Sequence, residues 1–308
     1  MAIKSVRVKI NNVWTTLSFN AQSGKYEGTI AAPNITSYNV NAGHYYPVTV
    51  EATNMADTVT TKDDTDSVLG SDLRLQVKEQ TAPVITIYAP TEGAFLPTNT
   101  PTITFTVVDE TNGSGVNIST LRIQMDNETP LTNISPGVTV SAITNGYSVS
   151  YVPQTGLSDG SHTVKVNCSD NDGNGASQRS VIFTVDTVAP TLTITAPAED
   201  GSYVAVSSFT VAGVTNDAGS SIASVTITLN GVDQGSVIVN ANGSFTKTVS
   251  LANGLNTLVI TAADRAGQIT SITRTIYLDT SAPAITAVSI VPNPVNTGTS
   301  FTISVTVT

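Results

Sequence analysis

The sequence predicts an all-β protein built from tandem β-sandwich domains, and three observations lead to this prediction. Only 12% of the 308 residues are charged, and the β-branched and neutral polar residues that replace them favour strands. Apolar and polar side chains alternate in short runs such as 225–229 and 258–262, which is the period of a half-buried strand. Segments also repeat along the chain, which indicates several similar structural units.

The first repeat is an Ala-Pro pair ahead of an alternating run. It begins at Thr81 as TAPVITIYAP, at Val188 as VAPTLTITAP and at Ser281 as SAPAITAVSIVPNP. Because a proline biases the residue before it to extended backbone, each pair predicts a stiff linker that leads into a first strand. The predicted domains are 1–80, 81–187, 188–280 and 281–308, of which the last is the start of a further, incomplete unit.

A second repeat lies near the end of each unit. LSDGSHTVKVNCSD at 157–170 and LANGLNTLVITAAD at 251–264 share Leu, Gly, Thr and the final Asp. Asn-Gly pairs favour hairpin turns in which both central residues have positive φ, and they begin at Asn112, Asn145, Asn174, Asn230, Asn242 and Asn253. About seven short strands for each unit fit a β-sandwich.

The run Gly254 to Gln268, GLNTLVITAADRAGQ, resembles the F strand and F–G turn of bacterial immunoglobulin (Ig)-like domains, with their G-x-N and A-x-D-x-A-G-N patterns. The resemblance covers 81–280 well, 281–308 in part and 1–80 loosely, and it implies tandem Ig-like β-sandwiches. Such domains occur in adhesins, enzyme spacers and phage virions, so the motif is specific for fold rather than function. The chain also resembles Ig-like tail proteins of phages and prophages of Gram-positive bacteria.

Charge and composition exclude several classes of function. The chain has 13 Lys and Arg against 23 Asp and Glu, a net charge of −10, so it would repel a phosphate backbone, and no nucleic-acid partner is expected. No apolar run is long enough for membrane insertion. The N-terminus lacks the pattern of a signal peptide, which predicts no ordinary export route. Cys168 is the single cysteine; it excludes an intrachain disulfide and is expected to be a small core residue.

No catalytic site and no cofactor are predicted. His44 and His162 precede equivalent strands in different units, so neither is expected beside an activated nucleophile. The carboxylate pair Asp109 and Glu110 is interpreted as solvated loop charge.

One motif offers metal ligands. Asp170, Asp172 and Asn174 in DNDGNG occupy ligand positions one, three and five of an EF-hand loop, but position twelve is Val181 instead of Glu. A polar F–G turn is the simpler interpretation, and a weak surface Ca²⁺ contact is the alternative.

Three aromatic residues are candidates for surface contact. Trp14 is expected to form a core pair with Tyr26, or to stack on sugar if it faces outward. Tyr45 and Tyr46 are adjacent, so one of them must point outward from a strand, where it could anchor an interface.

Three functions follow from these features. The favoured one is a non-enzymatic structural and adhesive virion protein of a phage or prophage, in the tail or baseplate, made in the host cytoplasm and released by lysis. Residues 1–80 would dock to other virion proteins, in multiple copies of a symmetric assembly. Loops at the ends of the sandwiches could contact host cell-surface polysaccharide. The alternatives are a fragment of a secreted adhesin on the bacterial cell surface and an Ig-like spacer of a larger cell-wall or carbohydrate-active enzyme.

Overall fold

The computed structural model describes residues 2–308, and almost all of its regular structure is β-strand. Two short 3₁₀ helices, Ser37–Asn39 and Gly70–Leu73, are the only helices in this range. None of the helices within residues 2–308 has the length and apolar character needed to cross a membrane. Contacts divide the chain into two compact units, one ending at Val185 and one beginning at Asp186.

The N-terminal domain of the first unit is a single antiparallel sheet. Its strands are β1 (Ile3–Ile10), β2 (Val13–Asn20), β3 (Lys25–Glu27), β4 (Tyr46–Asn54), β5 (Val59–Lys62) and β6 (Arg74–Leu75). The order is β3-β2-β1-β4-β5, and β6 pairs with β4. Only Val8 and Tyr46 are buried apolar residues of this domain. The two-sheet sandwich expected here does not form, because all six strands join one sheet and residues 2–80 provide no second apolar face to pack on it.

The second domain of the first unit is a two-sheet sandwich. Its strands are β7 (Val84–Ala89), β8 (Ala94–Leu96), β9 (Ile103–Val108), β10 (Val116–Met125), β11 (Val138–Ile143), β12 (Gly146–Tyr151), β13 (Gly160–Asp170) and β14 (Arg179–Val185). One sheet has the order β10-β13-β14-β8 and the other β11-β12-β9-β7. Phe105, Leu121 and Phe183 are fully buried between them, and each such side chain stabilises the fold by roughly 1.5–3 kcal/mol.

The second unit repeats this architecture. Its strands are β15 (Thr191–Ala196), β16 (Ser202–Val204), β17 (Ser208–Asn216), β18 (Ile222–Leu229), β19 (Val232–Asp233), β20 (Ser244–Ser250), β21 (Gly254–Asp264) and β22 (Ile269–Leu278). The sheets have the orders β15-β17-β20 and β16-β22-β21-β18-β19. Phe245, Ile260 and Ile276 lie in the core between them. A hairpin of β23 (Ile285–Val291) and β24 (Thr302–Val307) follows.

These two sandwiches confirm the Ig-like fold predicted from the repeats. Strands β13 and β21 are the two copies of the second repeat, and both bury alternate side chains along most of their eleven residues. In each domain the second and last strands pair in parallel, β8 with β14 and β16 with β22, while the other pairs are antiparallel. Of the six Asn-Gly pairs, all within the described range, only Asn230–Gly231 has both residues at positive φ.

Candidate functional site

Three carboxylates from separate segments meet where the linker reaches the first Ig-like domain. Glu79 belongs to the linker, Asp109 follows β9 and Asp170 ends β13. One oxygen of each lies within 4.8 Å of the others. Asp109 and Asp170 are 4% and 1% exposed. The interpretation of Asp109 as a solvated loop charge is therefore wrong, and we call these three residues the first acidic cluster.

An equivalent group stands in the second unit. Asp186 begins this unit, Asp217 follows β17 and Asp264 ends β21, and their oxygens also lie within 4.8 Å of one another. Asp186 and Asp264 are 1% and 3% exposed. We call these residues the second acidic cluster.

The same backbone frame holds both clusters. In the first cluster, the backbone N–H of Asn174 donates to Asp170 at 2.8 Å, and the Asn174 side-chain amide donates to Glu79 O at 3.2 Å. In the second cluster, the backbone N–H of Gln268 donates to Asp264 at 2.8 Å, and the Gln268 side-chain amide donates to Asp186 O at 3.0 Å. Each linker acid is thereby fixed to the F–G turn of its own domain.

We call the loops between β9 and β10 and between β17 and β18 the B–C loops, and a glycine in each of them leaves space for the linker carboxylate. A Cβ at Gly113 would lie 2.6 Å from Asp109 Oδ2 and 2.8 Å from Glu79 Oε2. A Cβ at Gly219 would lie 2.5 Å from Asp186 Oδ1. Any other residue at these two positions would displace the carboxylates, so the glycines allow the clusters to close.

Both clusters contain carboxylate oxygens that have no hydrogen-bond partner within residues 2–308. These atoms are Glu79 Oε2, Asp109 Oδ1, Asp186 Oδ2 and Asp264 Oδ2. Burial, followed by the adjacent Glu110 carboxyl group, raises the pKa of Glu79. An ionised carboxylate that is buried without a partner is strongly unfavourable. Each cluster is therefore suited to a positively charged ligand.

The structure separates the three metal ligands that the sequence suggested in the F–G turn. Asp170 lies in the first acidic cluster. Asp172 instead accepts hydrogen bonds from the Thr36 hydroxyl and from the Glu79 backbone N–H, the latter at 3.1 Å. Asn174 donates to Asp170 and to Glu79. The turn thus joins the N-terminal domain to the linker, and Asn39 adds a bond to Gly113 O at 2.8 Å.

The aromatic candidates divide into exposed and buried side chains. Trp14 is 39% exposed, and the guanidinium carbon of Arg7 lies 4.3 Å from the centre of its ring. The expected core pair with Tyr26 is wrong, since Tyr26 packs against Phe19. Tyr46 is 5% exposed, which corrects the expected surface contact at this residue.

Tyr45 is the outward member of the adjacent pair. Its hydroxyl donates to Asp64 Oδ2 at 2.9 Å, and Arg74 lies over its ring at 4.8 Å. Its ring therefore has polar and cationic partners within its own domain.

The histidine and cysteine of the first Ig-like domain are used by the scaffold. His162 Nε2 lies 2.8 Å from Ser158 O and Nδ1 lies 2.8 Å from Asp126 Oδ2. Burial acts to lower the pKa of His162, but these two hydrogen bonds outweigh it and the pKa is raised. Cys168 is buried, and burial raises the pKa of its thiol, which disfavours the reactive thiolate.

Asn256 holds the place of His162 in the second Ig-like domain. Its amide donates to Ala252 O at 2.7 Å and accepts a bond from Asn230 at 3.1 Å. In both domains this residue therefore links the start of the F strand to the carbonyl oxygen four residues earlier and to a polar side chain that follows β10 or β18.

The two acidic clusters were not predicted, although the sequence carries a signal for them. The linker acids Glu79 and Asp186 both stand four residues before the proline of an Ala-Pro pair, and Asp279 has the same spacing. Combined with the final Asp of the second repeat, this spacing would have indicated a recurrent acidic group.

Comparisons with known proteins found a family model and solved structures that are similar to this chain. A family model described as glucodextranase, domain B, matches residues 190–280, so the second Ig-like domain is similar to that family. The fibronectin(III)-like modules of Clostridium thermocellum CbhA match at 15% identity, over 63% of this chain and 94% of that one, with a TM-score of 0.41.

Two further solved structures are similar at lower scores. The I-band fragment of titin is 12% identical over 90% of this chain and 88% of that one, with a TM-score of 0.37. A Bacteroides ovatus protein of a mixed-linkage glucan utilization locus, solved with a mixed-linkage heptasaccharide, is 15% identical over 95% and 69%, with a TM-score of 0.22. A comparison with curated protein sequences found no match.

Proposed function

We propose that this chain is a non-enzymatic structural protein whose Ig-like domains act as a spacer. The observation that carries this proposal is the joint between the N-terminal domain and the first Ig-like domain. The Thr36 hydroxyl and the Glu79 N–H both donate to Asp172, and Lys78 Nζ donates to Asp172 O at 3.2 Å. A linker bonded on both sides transmits force and orientation, as a spacer requires.

The use of the reactive side chains supports a non-catalytic function. Both ring nitrogens of His162 are bonded within the scaffold, and the Cys168 thiol is buried. A general base or a nucleophile needs a free lone pair that faces substrate. These two residues contribute to the first Ig-like domain as structural groups.

The setting that we propose is a phage or prophage virion, in the tail or baseplate. The N-terminal domain would dock to other virion proteins, in several copies of a symmetric assembly. Its exposed apolar side chains support this role, because Val13 is 64% and Phe19 58% exposed and such residues suit a protein interface. The Ig-like domains would then contact host cell-surface polysaccharide through their end loops.

The second candidate is an Ig-like spacer of a larger cell-wall or carbohydrate-active enzyme, and the match of residues 190–280 to glucodextranase domain B favours it. A fragment of a secreted bacterial surface adhesin is the other alternative. In either setting the tandem domains would hold a catalytic or adhesive domain at a distance from its anchor.

Immunogold electron microscopy separates the two settings. An antibody against residues 188–280 is applied to an induced lysate of the source bacterium and to its intact cells. Label on tailed particles is expected, and its position distinguishes tail from head. Label confined to cell envelopes, with bare particles, would overturn the virion setting and favour the adhesin or enzyme spacer.

A further inference from the structure

The two acidic clusters share a construction that the spacer function does not explain. Each brings a linker carboxylate against a B–C loop and the end of the F strand, and each is held by the same pair of amide hydrogen bonds. Three like charges within 4.8 Å repel one another strongly. Because the arrangement recurs in both domains, we expect a positively charged ligand to offset this repulsion in the functional protein.

The oxygens that have no hydrogen-bond partner indicate that such a ligand would lie inside the clusters. Asp109 Oδ1, Asp186 Oδ2 and Asp264 Oδ2 have no hydrogen-bond partner in the described part of the chain, and all three side chains are more than nine-tenths buried. The remaining oxygens of these groups accept bonds from Gly115 N, Val188 N and Gln268 N. Each carboxylate is therefore anchored through one oxygen and presents the other.

We propose that each acidic cluster binds one Ca²⁺ ion. The ligands are Glu79, Asp109 and Asp170 in the first site and Asp186, Asp217 and Asp264 in the second. Ca²⁺ ligands lie at about 2.3–2.6 Å from the ion, so oxygens on opposite sides are separated by up to about 5 Å. The 4.8 Å limit within each cluster fits this span.

The donor chemistry favours Ca²⁺ over other divalent ions. All six ligands are carboxylates, whereas Zn²⁺ prefers nitrogen and sulfur donors. Mg²⁺ requires a nearly regular octahedron and keeps several waters, while Ca²⁺ accepts irregular oxygen sets. Ligands from three separate segments of the chain suit the more tolerant ion.

Binding would tie the linker to its own domain. Glu79 and Asp186 lie just before the first strands β7 and β15, and the other ligands lie on loops of the same domain. An ion at either site would therefore fix the path of the chain as it reaches the sandwich. This inference does not depend on a virion, adhesin or enzyme setting.

Isothermal titration calorimetry of the full chain with CaCl₂, after dialysis against EDTA and then metal-free buffer, tests the proposal. Two Ca²⁺ ions are expected to bind each chain. D109N should remove the first site, D264N should remove the second, and the double variant should bind none. D279N is the matched control, because Asp279 has the same spacing before an Ala-Pro pair but is exposed and belongs to neither cluster; it should bind two ions.

Hydrogen exchange keeps the test decisive if a variant folds poorly. In the wild-type chain, Ca²⁺ should slow amide exchange in the peptides that contain residues 76–83 and 186–190, and equal Mg²⁺ should slow it less. No calorimetric heat at millimolar Ca²⁺ together with unchanged exchange would overturn the proposal. A single ion bound to each chain would overturn the equivalence of the clusters.

Discussion

Asn256→Ala tests whether the buried amide at the start of β21 stabilises the second Ig-like domain. The side chain is fully buried and makes four hydrogen bonds: it donates to Ala252 O and Gly254 O and accepts from Ala252 N and Asn230 Nδ2. The substitution removes all four bonds and leaves three backbone groups and the Asn230 side-chain amide without these partners.

The expected loss follows from these bonds. Four hydrogen bonds at about 1 kcal/mol net each give an upper value of about 4 kcal/mol. Ala252 takes part in two of these bonds and is exposed, so water can replace about two of them, which leaves a destabilisation of about 2 kcal/mol. That value corresponds to roughly 30-fold faster exchange of the most protected amides in β21 and β22.

Hydrogen-exchange mass spectrometry of the full chain measures this loss domain by domain. Peptides from residues 188–280 should exchange faster, while peptides from 84–185 should be unchanged. Asn253→Ala is the matched control, because Asn253 lies in the same turn but is exposed. Less than about a threefold change in N256A, well under 1 kcal/mol, would refute the structural role assigned to the amide.

Three further predictions concern other parts of the chain. Because the folded-state pKa of His162 is raised, its contribution to stability is complete below its ordinary pKa and is lost as pH rises through the raised value. Calorimetry should show a Tm that falls as pH rises above about 6.5 in the wild type but not in H162N. D172A removes a charged acceptor from the joint with Glu79, which at about 1.5–3 kcal/mol should speed exchange in peptides around residues 36 and 79 at least tenfold, and unchanged rates would contradict the joint. G213A places a Cβ 2.5 Å from the Phe245 ring and 2.7 Å from Thr193 O, so a loss of about 1–3 kcal/mol is expected in urea unfolding. Wild-type stability would show that both groups can move away.

The strands of the Ig-like domains could be predicted because their information is local. The alternation within 157–170 and 251–264 specifies which side chains face the core, and these segments became β13 and β21. The Ala-Pro pairs likewise precede β7 and β15. Local spacing says less about how sheets combine, which is why the single sheet of the N-terminal domain was not foreseen.

The acidic clusters depend on contacts that are remote in sequence. Glu79 and Asp170 are separated by a whole domain, and only the closure of the sandwich brings them together. In sequence, Asp109 next to Glu110 looks like an ordinary polar loop. Glycine is needed at position 113 so that the linker carboxylate can approach, and this need can be recognised only in the folded loop.

The parallel pairing of the second and last strands of each Ig-like domain has a mechanical consequence. When a chain is pulled from both ends, load enters the first Ig-like domain through β7, passes to β8, and leaves through β14. Ala94, Phe95 and Leu96 lie beside Phe183, Thr184 and Val185 in parallel register, and the second domain pairs Ser202, Tyr203 and Val204 with Ile276, Tyr277 and Leu278 in the same way. Tension therefore shears these short ladders lengthwise, so their hydrogen bonds must break together instead of unzipping one by one. Each sandwich is accordingly built to resist extension along the chain.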